Sequence, residues 1–178
     1  MSRLLGVWLG LWLMVGCGQS AVETEAQTSR ASALWGAQAR TRIAAGAFHS
    51  LVVRPDGTVW VAGQNSSGQL GDGTLSNRTL PVQVQGLSGV VAVSAGSYHH
   101  SLAVRLDGTA WAWGLNAAGS SLLPVRVQGM SGGVSVAAGY RHSLAVRSDG
   151  TVWAWGDNGY GQLGDGTTSS RTLPVRVP

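Results

Sequence analysis

The chain has 178 residues, which is enough for one modest domain, and its formal net charge is +4. All twelve basic residues are arginines, and they are spread along the chain instead of forming a basic cluster. The sequence also has no lysine run and no aromatic stacking motif, so charge and composition argue against a nucleic-acid partner.

The first 17 residues are predicted to be an export signal with a lipid-attachment site. An apolar run from Leu4 to Val15 follows Arg3, and it is too short to cross a bilayer core of about 30 Å as a helix. Cys17 is the only cysteine, and the segment from Leu13 to Cys17 resembles the lipobox of bacterial lipoproteins, whose cysteine is acylated. The resemblance implies an exported outer-membrane lipoprotein of the cell envelope. The alternative is an ordinary signal peptide with an incidental cysteine.

Residues 18–42 are predicted to be a flexible tether. This segment is rich in Ala, Ser, Thr and Gln and contains both glutamates of the chain, Glu23 and Glu25, but it has no apolar period. Membrane attachment would therefore act through the lipid on Cys17, and the folded part would begin near residue 43.

Three copies of one sequence pattern occupy the rest of the chain, at residues 43–93, 94–136 and 137–178. They share an Ala-Gly pair, a His-Ser-Leu segment, an Asp-Gly-Thr turn, a tryptophan and a final Leu-Pro-Val. The second copy lacks eight residues between Asn116 and Pro124, where the other two carry Gly-Gln-Leu-Gly-Asp-Gly-Thr. Because a core strand could not be deleted without exposing its neighbours, we expect a surface loop at this point.

Each copy is predicted to form four short β-strands. In the third copy these are residues 134–138, 142–147, 151–156 and 174–177, and an Asp-Gly pair separates the second strand from the third. Glycine accepts the positive φ of a tight turn and aspartate bonds to the local backbone, so the pair predicts a hairpin. The turn residues of the three copies are Asp56 and Gly57, Asp107 and Gly108, and Asp149 and Gly150.

The third predicted strand is apolar on both faces. In Val152-Trp153-Ala154-Trp155 the two tryptophans share one face, while valine and alanine share the other. Such a sheet must be covered on both sides, and the pairing of a large face with a small one lets successive sheets nest. One copy alone should therefore not fold.

Residues 138–167 closely resemble the regulator of chromosome condensation repeat, a family in which seven repeats form a seven-bladed β-propeller. The resemblance covers about residues 43–178. It implies an all-β fold, a partial β-propeller built from three four-stranded repeats of the seven-bladed family. Three blades leave bare faces at both ends, which predicts self-association into a ring or stack, capping by a partner, or a truncated or split reading frame.

Two repeated positions are interpreted as structural and not catalytic. Each copy has a histidine before a serine, but no third group orients the pair, and an active site is rarely repeated three times. We expect these histidines to form hydrogen bonds between neighbouring blades. The two sets of positions are His49, His100 and His142, and Trp60, Trp111 and Trp153.

Repeated charged residues are assigned to turns and strand ends. Asp72 and Asp165 lie in Gly-Asp-Gly-Thr segments, and one carboxylate per loop is too few for a calcium ion, which takes about six to eight oxygen ligands. We therefore expect turns there and no metal. The repeated arginines Arg54, Arg105 and Arg147 are expected to be solvated. No residue pattern predicts a cofactor.

The predicted function is a non-catalytic binding or scaffold module that acts through contacts with a protein partner. The long, polar, Gly-rich loops at residues 64–80 and 157–173 are the expected recognition surface. The family resemblance implies guanine-nucleotide exchange on a GTPase as an alternative. A glycosidase is the third hypothesis, because Asp-Gly-Thr-x-Trp looks like the Asp-box of sialidases, but the repeats contain no glutamate for such a reaction.

Overall fold

A computed structural model describes residues 42–117 and 119–178 and contains twelve β-strands there. The predicted signal segment, Cys17 and the tether up to residue 41 lie outside the described residues. In the described part of the chain, no helix is long and apolar enough to span a membrane. The strands are Ile43–Ala45 (β1), His49–Val53 (β2), Val59–Gly63 (β3), Arg78–Gln83 (β4), Val90–Ala95 (β5), His100–Arg105 (β6), Ala110–Asn116 (β7), Gly119–Arg126 (β8), Gly133–Ala138 (β9), His142–Arg147 (β10), Val152–Gly156 (β11) and Arg171–Arg176 (β12).

Each group of four consecutive strands forms one antiparallel sheet, in which neighbours in sequence are also neighbours in space. We call these sheets blade 1 (β1–β4), blade 2 (β5–β8) and blade 3 (β9–β12). The repeat boundaries predicted after residues 93 and 136 fall inside β5 and β9. Because β5 pairs with β6 and β9 pairs with β10, each belongs whole to the following blade. The structure thus moves the boundaries to the connections at residues 84–89 and 127–132.

An Asp-Gly hairpin joins the second and third strands of every blade. In blade 1, Gly57 has a φ of 79°, and its N–H donates to the backbone carbonyl three residues earlier at 2.9 Å. The Asp56 carboxylate accepts hydrogen bonds from both Thr58 N (2.9 Å) and Thr58 Oγ1 (2.7 Å). Glycine suits this position because a left-handed backbone is unfavourable for a residue with a Cβ atom. The same turn recurs at Asp107 and Gly108 in blade 2 and at Asp149 and Gly150 in blade 3.

Successive blades pack with the small face of one against the tryptophan face of the next. Leu51 and Val59 of blade 1 belong to one buried cluster with Trp113 of blade 2. At the next junction, Leu102 of blade 2 is buried in a cluster with Trp155 of blade 3. Burial of one such side chain stabilises the fold by about 1.5–3 kcal/mol. Much of the core therefore lies between blades, which explains why the sequence of a single copy leaves both faces apolar.

The fourth strand of the complete copies begins earlier than the sequence predicted. Residues 174–177 were the expected strand, but β12 begins at Arg171, which pairs with Gly156. The Leu-Pro-Val segment therefore marks the middle of this strand and not its start. In blade 2, a tight hairpin joins β7 to β8, with Asn116 paired to Gly119. The eight missing residues thus belong to the connection between the third and fourth strands.

Candidate functional site at the blade junctions

Hydrogen bonds connect the repeated histidine of one blade to the repeated serine of the next. His49 Nε2 lies 3.0 Å from Ser101 Oγ, and His100 Nε2 lies 3.4 Å from Ser143 Oγ. All four side chains are buried. The histidines therefore lie between blades, where the repeat pattern led us to expect them. His142, the last of the series, is only half-buried.

Burial keeps the two junction histidines neutral. Loss of solvent, together with the neighbouring His100, lowers the pKa of His49 to about 4. Loss of solvent also lowers the pKa of His100. At neutral pH both rings are uncharged. The histidines and their serines are enclosed between blades, which suits hydrogen bonding between blades, whereas a serine nucleophile must be accessible to a substrate.

The backbone carbonyl of Gln69 completes the junction between blades 1 and 2. It accepts hydrogen bonds from Ser101 Oγ at 2.9 Å and from Trp113 Nε1 at 2.8 Å. Because Ser101 has one hydroxyl proton, its oxygen accepts from His49, whose Nε2 then carries the ring proton. The Gln69 side-chain nitrogen lies 3.0 Å from His99 Nδ1. Three side chains of blade 2 thus converge on one residue of blade 1.

The connection between β3 and β4, residues 64–77, is called the Gln69 loop here, and its middle part belongs to the core. The prediction that this loop is a free recognition surface was therefore wrong. Asn65 and Leu70 are fully buried, and the Asn65 side-chain oxygen accepts from Leu70 N at 2.9 Å. A Cβ atom added to Gly71 would lie 2.9 Å from Trp113 Nε1, so the loop packs directly on that ring. The segment that is absent from the second copy is therefore a packing element. Where the segment is absent, Val127 is only half-buried, whereas its equivalent Val84 is buried, so the expectation of a surface loop was wrong.

Asp72 and Asp165 hold the long loops of blades 1 and 3. Asp72 accepts from Arg78 Nε at 2.7 Å, and Asp165 accepts from Arg171 Nε at 2.8 Å. Burial of Asp72 acts to raise its pKa, but hydrogen bonds from a threonine and from Arg78 outweigh it and lower the pKa. Similar bonds from a threonine and from Arg171 lower the pKa of Asp165 to about 2. Within the described ranges, no three His, Cys, Asp or Glu side chains form a group that could hold a metal ion.

The repeated tryptophan of each third strand is joined to the preceding hairpin. Trp60 Nε1 donates to Thr58 Oγ1 at 3.2 Å, and the Arg54 guanidinium lies 3.7 Å from the centre of the Trp60 ring. Arg54 is thus stacked on an aromatic face but remains exposed, as predicted, whereas Arg105 and Arg147 are half-buried and not fully solvated. In blade 2, Trp111 Nε1 donates to Thr109 Oγ1 at 3.0 Å and the Arg105 guanidinium lies 5.8 Å from the ring centre. In blade 3, Trp153 Nε1 donates to Thr151 Oγ1 at 3.0 Å and the Arg147 guanidinium lies 3.9 Å from the ring centre.

The junction between blades 2 and 3 has no counterpart of the Gln69 loop. The pairing of β3 with β4 and of β7 with β8 aligns Arg78 with Ser121, so the eight absent residues correspond to residues 69–76. Trp155 occupies the position of Trp113. Among the described residues, however, the Trp155 indole N–H has no hydrogen-bond acceptor, although the side chain is 97% buried.

The outer faces of blades 1 and 3 repeat the internal junctions without a covering blade. We define the head face by Ser50, Val52 and Trp60 of blade 1, and the tail face by His142, Val146 and Val152 of blade 3. On the head face, Val52 is 44% exposed, whereas the equivalent Ala103 of blade 2 is fully buried. On the tail face, Val146 is 37% exposed, whereas the equivalent Val53 is 5% exposed. Each outer face is thus one half of a junction that forms twice within the chain.

The repeats match a known protein family. The family model described as "Regulator of chromosome condensation (RCC1) repeat" matches residues 41–69, 90–120 and 134–162, and a second model of that description matches residues 56–104 and 149–178. Protein RCC2 of Homo sapiens is 37% identical over 92 residues, which are 51% of this chain and 18% of RCC2. The probable E3 ubiquitin-protein ligase HERC6 of Homo sapiens is 39% identical over 80 residues, which are 44% of this chain and 8% of that protein. The chain thus spans less than a fifth of these relatives.

Solved structures with propeller folds are similar to the three blades. Human WBSCR16 has a TM-score of 0.69 and 22% identity, over 76% of this chain and 39% of that protein. Prp20p from Saccharomyces cerevisiae has a TM-score of 0.68 and 26% identity, over 76% of this chain and 37% of Prp20p. This likeness confirms the predicted all-β, partial-propeller architecture. With its repeats matched in sequence and each folded as a four-stranded blade, the chain belongs to the regulator of chromosome condensation (RCC1) repeat family.

Proposed function

We propose that the chain is a non-catalytic protein-binding scaffold that is exported and attached to a cell-envelope membrane through Cys17. The observation that carries the binding role is the pair of bare outer faces. Each presents side chains that form a buried junction elsewhere in the same chain. Exposed apolar faces of this kind are typical of protein interaction sites.

The head face and the tail face are complementary. Ser50 on the head face is exposed, whereas its equivalents Ser101 and Ser143 are buried and each contacts a histidine of the preceding blade. His142 on the tail face is the corresponding histidine for a following blade. The proposed partner is therefore a second copy of this chain, with His142 of one copy beside Ser50 of the other. A head-to-tail contact of this type builds a ring or an open stack.

One difference between the copies, on the outer face of blade 1, should make the contact between chains weaker than an internal junction. Ala62 stands at the position held by Trp113 in blade 2 and by Trp155 in blade 3. An alanine buries much less apolar surface than a tryptophan. The association between copies should therefore be reversible.

A relative with this fold is known to bind proteins. The structure of Prp20p is described together with the binding of Prp20p to Gsp1p and histones. The buried, neutral junction histidines and the loop-bound aspartates of this chain are occupied by structural contacts, which favours binding over catalysis as the role of the blades.

Sedimentation velocity tests the association of copies. The purified full chain with Cys17→Ser, which keeps it free of lipid, should sediment as larger species as its concentration rises. Val146→Lys places a charge on the tail face and should give a monomer. The control Leu106→Lys changes an equally apolar but turn-exposed position and should leave association unchanged. A wild-type chain that stays monomeric and resists proteases would contradict the proposed partner.

Detergent partitioning tests the membrane anchor. Cells that express the wild-type chain should retain it in the membrane fraction until detergent is added, because an acyl chain on Cys17 supplies the apolar attachment. Cys17→Ser should release the chain into the soluble fraction, while Ser20→Ala should not. If Cys17→Ser partitions like the wild type, the anchor proposal fails.

A further inference from the structure

Gln69 and Leu70 of the Gln69 loop fill a niche at the junction between blades 1 and 2. Leu70 is fully buried in one cluster with Val61, Val84 and Trp113. The preceding carbonyl accepts hydrogen bonds from the Trp113 indole and from Ser101. This niche therefore receives one peptide carbonyl and one leucine side chain.

The same niche is open at the junction between blades 2 and 3. The residues equivalent to Val61, Val84 and Trp113 are Ala112, Val127 and Trp155, and they line a cavity of about 370 Å³. Ala112 is smaller than Val61, which adds room for a side chain. Residues equivalent to 69–76 are absent, and the short β7–β8 hairpin of blade 2 reaches the cavity wall with Asn116, Gly119 and Ser120.

Two buried polar side chains at this junction have lost the carbonyl that their equivalents bind. Trp155 lines the cavity, and in the described part of the chain its N–H has no acceptor. Among the described residues, the Ser143 hydroxyl has one hydrogen-bond partner, His100 at 3.4 Å, whereas the Ser101 hydroxyl also donates to the Gln69 carbonyl. A ligand carbonyl placed in the cavity would accept from the Trp155 N–H as the Gln69 carbonyl accepts from Trp113.

Two aliphatic side chains that line the cavity are also exposed. Val125 of blade 2 is 55% exposed and Leu173 of blade 3 is 59% exposed. Large exposed aliphatic side chains around an apolar cavity are typical of a protein-binding surface. The occupant should therefore be a segment of a protein and not a small polar solute.

At the junction between blades 2 and 3, an arginine stands at the position that His99 holds at the first junction. His99 of blade 2 contacts the Gln69 side chain, and the equivalent residue of blade 3 is Arg141. Arg141 lines a second cavity of about 300 Å³, which shares Asn116 and Thr172 with the first. An acidic side chain just before the leucine would pair with Arg141 better than glutamine does.

We infer that the cleft between blades 2 and 3 binds an extended loop of a partner protein, which inserts a backbone carbonyl against Trp155 and a leucine side chain against Ala112 and Val127. An acidic residue precedes the leucine and faces Arg141. This inference deepens the proposed binding function and rests on it, but the cleft is separate from the head and tail faces.

A cyclic peptide that copies residues 65–77 of this chain is the probe. Its ends lie close together in the fold, since Asn65 N donates to the Asn77 side chain at 2.9 Å, and cyclisation lowers the cost of ordering the loop. Added to the full chain with Cys17→Ser, it should shift the indole N–H signal of Trp155 in a saturable way in nuclear magnetic resonance spectra. Trp155→Phe identifies that signal, and by calorimetry it should weaken binding roughly five-fold through loss of one hydrogen bond.

Two peptide variants test the proposed chemistry. Leu70→Asp in the peptide should abolish binding, because a carboxylate would enter an apolar niche. Gln69→Glu should bind more tightly to the wild-type chain, and Arg141→Gln in the chain should remove that gain. A peptide that leaves the Trp155 signal unshifted, or that binds equally with Leu70→Asp, would overturn the inference.

A graft provides a second test within the chain. Insertion of Gln-Leu-Gly-Asp-Gly-Thr-Leu-Ser between Gly119 and Ser120 restores the absent segment and should block the peptide, whereas a Gly-Ser insertion of equal length should not. Equal binding to both insertion variants would contradict the location of the site. The association measured with Val146→Lys is independent of this cleft, so failure of the inference and failure of the proposed function are distinguishable.

Discussion

The junction between blades 1 and 2 and the junction between blades 2 and 3 are built from the same repeat, but a loop closes only the first. At the first junction, the Gln69 carbonyl joins Ser101 and Trp113. The second junction keeps Ser143 and Trp155 at the same positions without that carbonyl. The chain thus contains the same type of interface twice, once with the loop and once without it.

The blades stack on one another even where no loop closes their junction. Leu102 and Trp155 remain buried at the second junction, so the strand faces alone are sufficient to stack two blades. The loop adds apolar filling and hydrogen bonds at one end of the interface. Loss of the loop therefore opens a cleft without separating the blades.

The largest expected effect is the loss of apolar filling at the closed junction. Leu70→Ala should lower the free energy of unfolding by about 2–5 kcal/mol, because Leu70 is fully buried between two blades. Leu163→Ala is the matched control, since Leu163 holds the same loop position in blade 3 but is in neither of the buried clusters that join two blades. Denaturant unfolding should show a smaller loss for the control. Equal losses would mean that Leu70 stabilises only its own loop.

Acid should weaken the closed junction between pH 6.5 and about 4. A histidine titrates near 6.5 in the unfolded chain, whereas the pKa of His49 in the fold is about 4. As the pH is lowered across this window, the unfolded state takes up a proton that the folded state does not. The free energy of unfolding therefore decreases on acidification, by on the order of 3 kcal/mol. Thermal unfolding as a function of pH measures the slope.

His49→Gln tests the origin of that slope. This variant should flatten the pH dependence of the unfolding temperature between pH 6.5 and 4, since it removes the titrating ring. Arg54→Gln, an exposed change in the same blade, should retain the wild-type slope. An unchanged slope in His49→Gln would show that another group dominates acid unfolding.

The smallest expected effect isolates one hydrogen bond. Trp113→Phe removes the donor to the Gln69 carbonyl, whereas Trp155→Phe removes an N–H that has no acceptor among the described residues. Both variants lose similar ring volume, so Trp113→Phe should be the more destabilising by about 1 kcal/mol. Chemical unfolding of the two variants side by side measures the difference. A larger loss for Trp155→Phe would contradict the open junction.

The blades and their turns could be predicted because they depend on local rules. An Asp-Gly pair requires a positive φ at Gly57, and the alternation of Val152-Trp153-Ala154-Trp155 requires two covered faces. The histidine positions were also predictable, because a residue that recurs in every copy meets the same surroundings at every junction.

The role of the Gln69 loop could not be predicted from its composition. Gly, Gln, Asp and Thr are typical of exposed loops, yet Asn65, Gln69 and Asp72 are buried because their polar groups bond to one another and to blade 2. The signal was present only as a contrast between copies. The third copy has Trp155, but the second copy lacks the segment that would cover it.

The repeat, the strand faces, the hairpin turns and the family can be read from the amino acids alone, since each follows from spacing or from a backbone preference within one copy. The folded arrangement of the blades is needed to know which blade contributes the acceptor, which indole N–H is left without one, and where a cleft opens. These features depend on groups from different copies brought within hydrogen-bond distance, and sequence spacing within one repeat does not encode them.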